Sequence, residues 1–140
     1  MLEKLFSRAT RIDPRRILLS CLLSFVKHGQ EEISLPQILD GVSHLQKSIA
    51  LGYEFSPGFL YSPNLFTDIA RMEEEGYIRR YEYAHDGFLP KSYVSLTMLG
   101  RGTAEREAKR LSQPVVTMID EGVERAIAQH KEYWRLYARL

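Results

Sequence analysis

Few side chains in this chain have the types and spacing that catalysis needs. The four histidines, His28, His44, His85 and His130, are scattered without the i, i+4 pairing of a metal site. Cys21 is the single cysteine and lies on the apolar face of its segment, so it can neither close an internal disulfide nor present a thiolate. Glu73-Glu74-Glu75 resembles a carboxylate pair only as text, because consecutive helical residues point about 100° apart. Gly-rich phosphate loops, Gly-x-Ser-x-Gly elbows and dinucleotide fingerprints do not occur. The residues therefore predict no enzyme, no metal and no cofactor.

A second set of residues is spaced for another task. From Pro63 to Glu75, Asn64, Thr67, Asp68 and Arg71 share one face of a helical pattern, and Leu65, Ile69 and Met72 share the opposite face. Short polar groups near a helix N-terminus can read base edges, and arginine takes guanine or phosphate. Asn64, Thr67 and Arg71 are the candidate base contacts. Against them, the helix carries one positive charge and four negative ones, Asp68 with the three glutamates, which gather toward its C-terminal end. Further on, Arg79, Arg80, His85 and Lys91 fall on a hairpin that can follow a phosphate row or a minor groove. Arg15 and Arg16, at the start of an earlier helix, are further candidate phosphate contacts.

The elements that would position these groups carry their own signals. Ser62-Pro63 marks a helix start, with serine able to cap the first turn and proline placed where its missing N–H costs nothing, and Gly76 marks the stop. Strand-forming residues follow at Tyr77–Tyr83 and at Tyr93–Leu96, separated by a loop with Asp86-Gly87 and Pro90. Upstream, Asp13-Pro14 starts a helix with the stripe Ile17, Leu18, Cys21, Leu22 and Phe25, ended by Gly29. Ile33-Ser34-Leu35 can form a short strand beside the hairpin. Pro36 then opens a helix through Ile49, in which Gly41 costs ~1 kcal/mol and permits a break. The segment from Tyr53 to Tyr61 reads as a loop whose rings Tyr53, Phe55, Phe59 and Tyr61 pack on the core with Phe66. Thr97 caps a helix from Met98 to Ser112, and Pro114 separates it from a last helix.

Helix, strand, basic loop, strand and helix, in that order, describe a winged helix-turn-helix. Ser62-Pro63-Asn64-Leu65-Phe66, followed by Ile69, Met72 and Glu73-Glu74-Glu75-Gly76-Tyr77-Ile78, resembles the recognition-helix segment of PadR-type transcriptional regulators, within the broader MarR/PadR-like group. Pro90-Lys91-Ser92-Tyr93-Val94-Ser95-Leu96-Thr97-Met98-Leu99-Gly100-Arg101 resembles that family's second wing strand and the Leu-Thr-x-x-Gly lead-in to its next helix. The resemblance covers the middle third of the chain. The segment before Ser62 is longer than in that family, and His44-Leu45-Gln46-Lys47 with the aromatic stretch after it is more distantly similar to YwgA-like proteins. The resemblance implies a mainly α protein with a small β-hairpin wing, an α+β class, that binds double-stranded DNA and uses its C-terminal helix to dimerise.

With 140 residues, 44% hydrophobic and 26% charged, the chain suffices for one ordinary core. A net charge of +1 announces no bulk field for nucleic acid or an acidic membrane. The N-terminal stretch to His28 is more basic, with Lys4, Arg8, Arg11, Arg15, Arg16 and Lys27 against Glu3 and Asp13. No apolar run approaches the ~20 residues that span a bilayer, and the lone cysteine suits a reducing compartment, so a cytoplasmic protein without a membrane partner is expected. The division expected is a winged-helix domain over 1–112 and a helical arm over 113–140. In the arm, Val116, Ile119, Val123, Ala126, His130, Tyr133, Tyr137 and Leu140 recur at spacings of three and four, and Ile127 and Trp134 widen the stripe. Val116, Ile119, Val123, Ile127, Tyr133, Trp134 and Tyr137 are the candidate dimer contacts, with folding back on the domain as the alternative. Two functions stay open: a dimeric DNA-binding regulator, and a module of the same fold that binds a protein partner, as a subunit of an assembly or an antitoxin-like partner.

Overall fold

The computed structural model describes residues 13–56, 61–83 and 91–138, and the side chains of the last helix as far as His130. Lys4, Arg8, Arg11, Phe59, His85, Asp86-Gly87, Pro90 and Leu140, and the side chains of Tyr133, Trp134 and Tyr137, lie outside the described residues. The described part is mainly helical with a small antiparallel sheet. In chain order it runs α1 (Pro14–Lys27), β1 (Ile33–Ser34), α2 (Leu35–Leu45), α3 (Pro63–Glu74), β2 (Ile78–Tyr83), β3 (Lys91–Leu96), α4 (Met98–Lys109) and α5 (Gln113–Ala138).

Local chemistry sets most of these boundaries. Asp13 accepts the Arg15 N–H at 3.0 Å and starts α1, and proline follows it in the first turn. At the other end Gly29, at φ +90°, lets Gln30 donate back to the Phe25 carbonyl and Gly29 to that of Val26. The same device ends α3, where Gly76 at φ +83° sends the Tyr77 N–H back to Met72. A reciprocal bond pair between Ser34 and Gln37 starts α2. Gln37, itself buried, also exchanges two amide bonds with Gln30, at 2.6 and 2.9 Å.

The core is built around α1. All nine residues from Ile17 to Phe25 are buried, Ser20 and Ser24 included, so α1 is enclosed rather than half-exposed as one stripe would leave it. Helices α2, α4 and α5 pack on it, and the sheet closes another side. Strand order is β1-β3-β2, all antiparallel, with Ile33 opposite Val94, Ile78 opposite Leu96 and Tyr81 opposite Tyr93. Ile33, Ile78 and Val94 are buried in this core.

Several sequence expectations are corrected. Helix α2 ends at Leu45, not Ile49, and Gly41 does not break it. Gly41 instead lies where α2 crosses α5: a Cβ on Gly41 would be 3.8 Å from the Ala126 Cβ, and one on Gly122 would stand 3.4 Å from the Gly41 carbonyl. Small residues there let the two backbones approach. Pro114 falls in the first turn of α5, where proline fits, instead of separating the helices. Tyr61 is exposed and leans on Phe66 at 5.4 Å, while Tyr53 is buried and Phe55 and Phe66 are half-buried on the core. Val115, Ile119, Val123 and Ala126 of α5 belong to the same core as α1 and α2.

Candidate nucleic-acid interface

Helix α3 turns Leu65, Ile69 and Met72 inward and leaves Asn64, Thr67 and Arg71 exposed on the far side. That division follows from the 3.6-residue period of the sequence. The exposed groups are not equally available. Asn64 Oδ1 accepts the Glu54 N–H at 3.1 Å and the Ser62 hydroxyl at 2.8 Å, while its Nδ2 donates to the Gly52 carbonyl at 2.9 Å. Ser62 is buried and its side chain makes no capping bond, contrary to the expected serine cap. Thr67 donates its hydroxyl to the Pro63 carbonyl at 3.1 Å. Asp68 leaves the predicted polar set: it accepts the hydroxyl of buried Tyr53 at 2.7 Å. Burial and that bond push the Tyr53 phenol well above its usual range. Arg71 is exposed and has no ion pair among the described residues.

The basic groups around α3 are largely engaged by acids. Arg15 donates to Glu75 at 2.7 Å and to Asp13 at 3.1 Å, tying the start of α1 to the end of α3. Burial is the largest single influence on the Asp13 carboxyl and raises it, but the bonds to the Arg15 side chain and backbone, with the charges of Arg15 and Arg16, together outweigh burial and hold it below its usual value. Arg16 pairs with Glu107 of α4 at 3.3 Å. Arg80 pairs with Glu73 across the α3–β2 turn at 2.9 Å. Arg79 is exposed on β2 without an ion pair among the described residues, and Lys91 is half-buried where β3 begins, opposite Tyr83. On the Arg79 side of the strand, Tyr81 stacks with Tyr83 at 6.5 Å, and Tyr83 meets Tyr93 edge-on at 5.3 Å. Of the eight sequence candidates, Thr67, Arg71 and Arg79 are exposed with no side-chain partner among the described residues, while Arg15, Arg16 and Arg80 are held in ion pairs.

Neither a family model nor a curated protein matches this chain.

The candidate dimer contacts divide. Ile119 and Val123 are buried within their own chain. Val116 and Ile127 are partly covered. The α5 side is also held by polar contacts: Ser24 donates to Asp120 at 2.6 Å, His28 faces Glu124 at 3.2 Å, and His130 faces Asp40 at 3.6 Å. Burial, with Asp120 nearby, pushes the Cys21 thiol up to about 12, which leaves it without thiolate character at neutral pH. Among the described residues, no group of three His, Cys, Asp or Glu side chains is placed to hold a metal ion, and no helix is long and apolar enough to cross a membrane.

Sequence reasoning missed the hydrogen bonds of Gln46 to the Tyr53 backbone, of Tyr53 to Asp68, and of Glu73 and Glu75 to Arg80 and Arg15. Glu73 and Arg80, seven residues apart across a glycine-ended helix, were in principle findable. Arg15 and Glu75 lie sixty residues apart and leave no local signal.

Proposed function

We propose that the protein is a winged-helix, PadR-like transcriptional regulator that binds double-stranded DNA as a homodimer in the cytoplasm. In this reading α3 is the recognition helix, the β2–β3 hairpin is the wing, and β1 completes the small sheet beside it. The observation that carries it is the open outer face of α3, where Thr67 and Arg71 stand one turn apart, followed directly by a hairpin with Arg79 exposed. Thr67 and Arg71 then meet bases, and Arg79 and Lys91 meet phosphate. Dimerisation falls to the later part of α5, where Ile127, Tyr133, Trp134 and Tyr137 continue the apolar spacing past the residues buried in the domain. Two such helices about 34 Å apart would fit successive major grooves. The test is duplex binding by Arg71→Ala and Arg79→Ala: each should weaken binding and reduce the salt slope by about one. Unchanged affinity and slope in both would reject it.

A second reading, a protein-binding module of the same fold, is favoured by Met98, 94% exposed, beside Leu99 on an open groove of about 700 Å³ that Arg79, Arg80 and Glu73 also line. The neutralised arginines support it too. Wild-type protein that fails to retain duplex DNA at low salt selects this second reading.

A further inference from the structure

Two amide side chains grip the stretch of chain that leads toward α3. Gln46, just past the end of α2, donates to the Tyr53 carbonyl at 2.9 Å and accepts the Tyr53 N–H at 2.7 Å. Asn64, in the first turn of α3, donates to the Gly52 carbonyl and accepts the Glu54 N–H. Between them, the two amides satisfy backbone groups of three consecutive residues much as neighbouring strands would. The Tyr53 side chain is buried, and its hydroxyl donates to Asp68, one turn along α3 from Asn64. Leu51 is buried beside it. Helix α3 is therefore joined to residues 51–56 at two successive turns, and those residues are joined in turn to the end of α2.

We propose that residues 51–56 are a splint that sets the direction of α3, and that Asn64 is a positioning residue rather than a base contact. Reading adenine requires the amide to donate and accept at once through both of its polar atoms. In Asn64 the oxygen already accepts two hydrogen bonds and the nitrogen donates one, all inside the protein. Turning the amide toward a base would break the bonds that hold the helix in its reading direction. The specificity of α3 then falls to Thr67 and Arg71. This inference rests on the DNA-binding reading for its consequence, while the splint itself is a property of the free protein.

The test uses the full chain with Asn64→Ala, Gln46→Ala and Tyr53→Phe. A randomised duplex pool, with the bound fraction sequenced, gives the base preference at each position, and titration of the selected duplex gives affinity. All three variants should bind more weakly, by about tenfold for the two alanine variants, with the base preference unchanged. Gln46→Ala is the decisive one, because Gln46 bonds to residue 53 and not to α3. An Asn64→Ala variant that loses preference at one base pair, beside a Gln46→Ala variant that binds as wild type, would overturn the proposal. Amide hydrogen exchange tests the splint without DNA. Exchange at Tyr53 should quicken in Gln46→Ala and at Glu54 in Asn64→Ala, in both cases with faster exchange at Phe66 and Thr67. Unchanged exchange at Phe66 and Thr67 in both variants rejects the splint even if duplex binds. Exchange as expected with no duplex retained by the wild type rejects the DNA-binding reading and leaves the splint standing.

Discussion

Glu73 closes on Arg80 across the turn that joins α3 to β2, with the guanidinium donating to the carboxylate at 2.9 Å. That bond, aided by the Arg80 charge and backbone N–H, holds the Glu73 carboxyl below its usual value. A carboxylate so placed occupies the arginine as a phosphate would. Because the folded-state value is depressed, the pair is complete above the ordinary carboxylate pKa of 4.5 and opens only as pH falls through the lower folded value.

Glu73→Gln should therefore release Arg80 at neutral pH. The expected outcome is duplex binding tightened severalfold with a salt slope steeper by about one, measured by titration at several salt concentrations. Stability should change by less than ~1 kcal/mol, since both side chains are more than a third exposed. Binding weaker than wild type would show that the pair serves to place the strand, not to mask it.

Gly100 lies against the backbone of Tyr77, so that a Cβ would intrude on the Tyr77 carbonyl. The approach is held by Thr97, whose N–H donates to Tyr77 and whose hydroxyl donates to Gly76 while accepting the Gly100 N–H. Backbone cannot move aside as a flexible side chain can. Gly100→Ala should cost about 3 kcal/mol and lower Tm by roughly 10 °C in thermal unfolding. Gly102, whose Cβ would meet nothing within 4 Å, is the matched control, and Gly102→Ala should be neutral or stabilising.

Ile119 is buried between α5 and the rest of the core, so its truncation tests the packing of this helix. Ile119→Ala should destabilise by about 3 kcal/mol in chemical unfolding. The loss should be the same at low and high protein concentration, because the cavity forms within one chain. A concentration-dependent loss would return Ile119 to an interface between copies.

His28 offers both ring nitrogens to acceptors: Nδ1 faces the Ser24 carbonyl at 2.7 Å, and Nε2 faces Glu124 at 3.2 Å. The carbonyl bond raises its pKa most, burial opposes it as the next largest influence, and the bond to Glu124 with the nearby carboxylate charges keeps the balance above 6.5. A raised value means that the stabilisation is fully present below pH 6.5 and is lost as pH rises through the folded-state value. His28→Ala should be less stable than wild type at low pH by under ~1 kcal/mol, with the gap closing above neutrality in unfolding curves across that range. A constant gap would assign the contact to packing alone.

Much of the order of elements was legible because its causes are local. Asp13-Pro14, Thr97 and Gly76 act within one helical turn, and each marks its boundary whatever lies elsewhere. The face of α3 followed equally from its period. Ser62 shows where this reasoning fails: its type suits a cap, but the nearby Asn64 oxygen takes its hydroxyl.

What the sequence by itself determined was the set of helices and strands and the apolar faces that had to be buried. What tertiary structure alone decided was the partner of each face and charge. An apolar stripe states that water must be excluded, not by what, so Ile119 and Val123 could equally have met a second chain until α1 and α2 were seen to cover them. Charge is likewise non-local: the pairing of Arg15 with Glu75 arises because folding brings the start of α1 beside the end of α3, and no spacing along the chain encodes it.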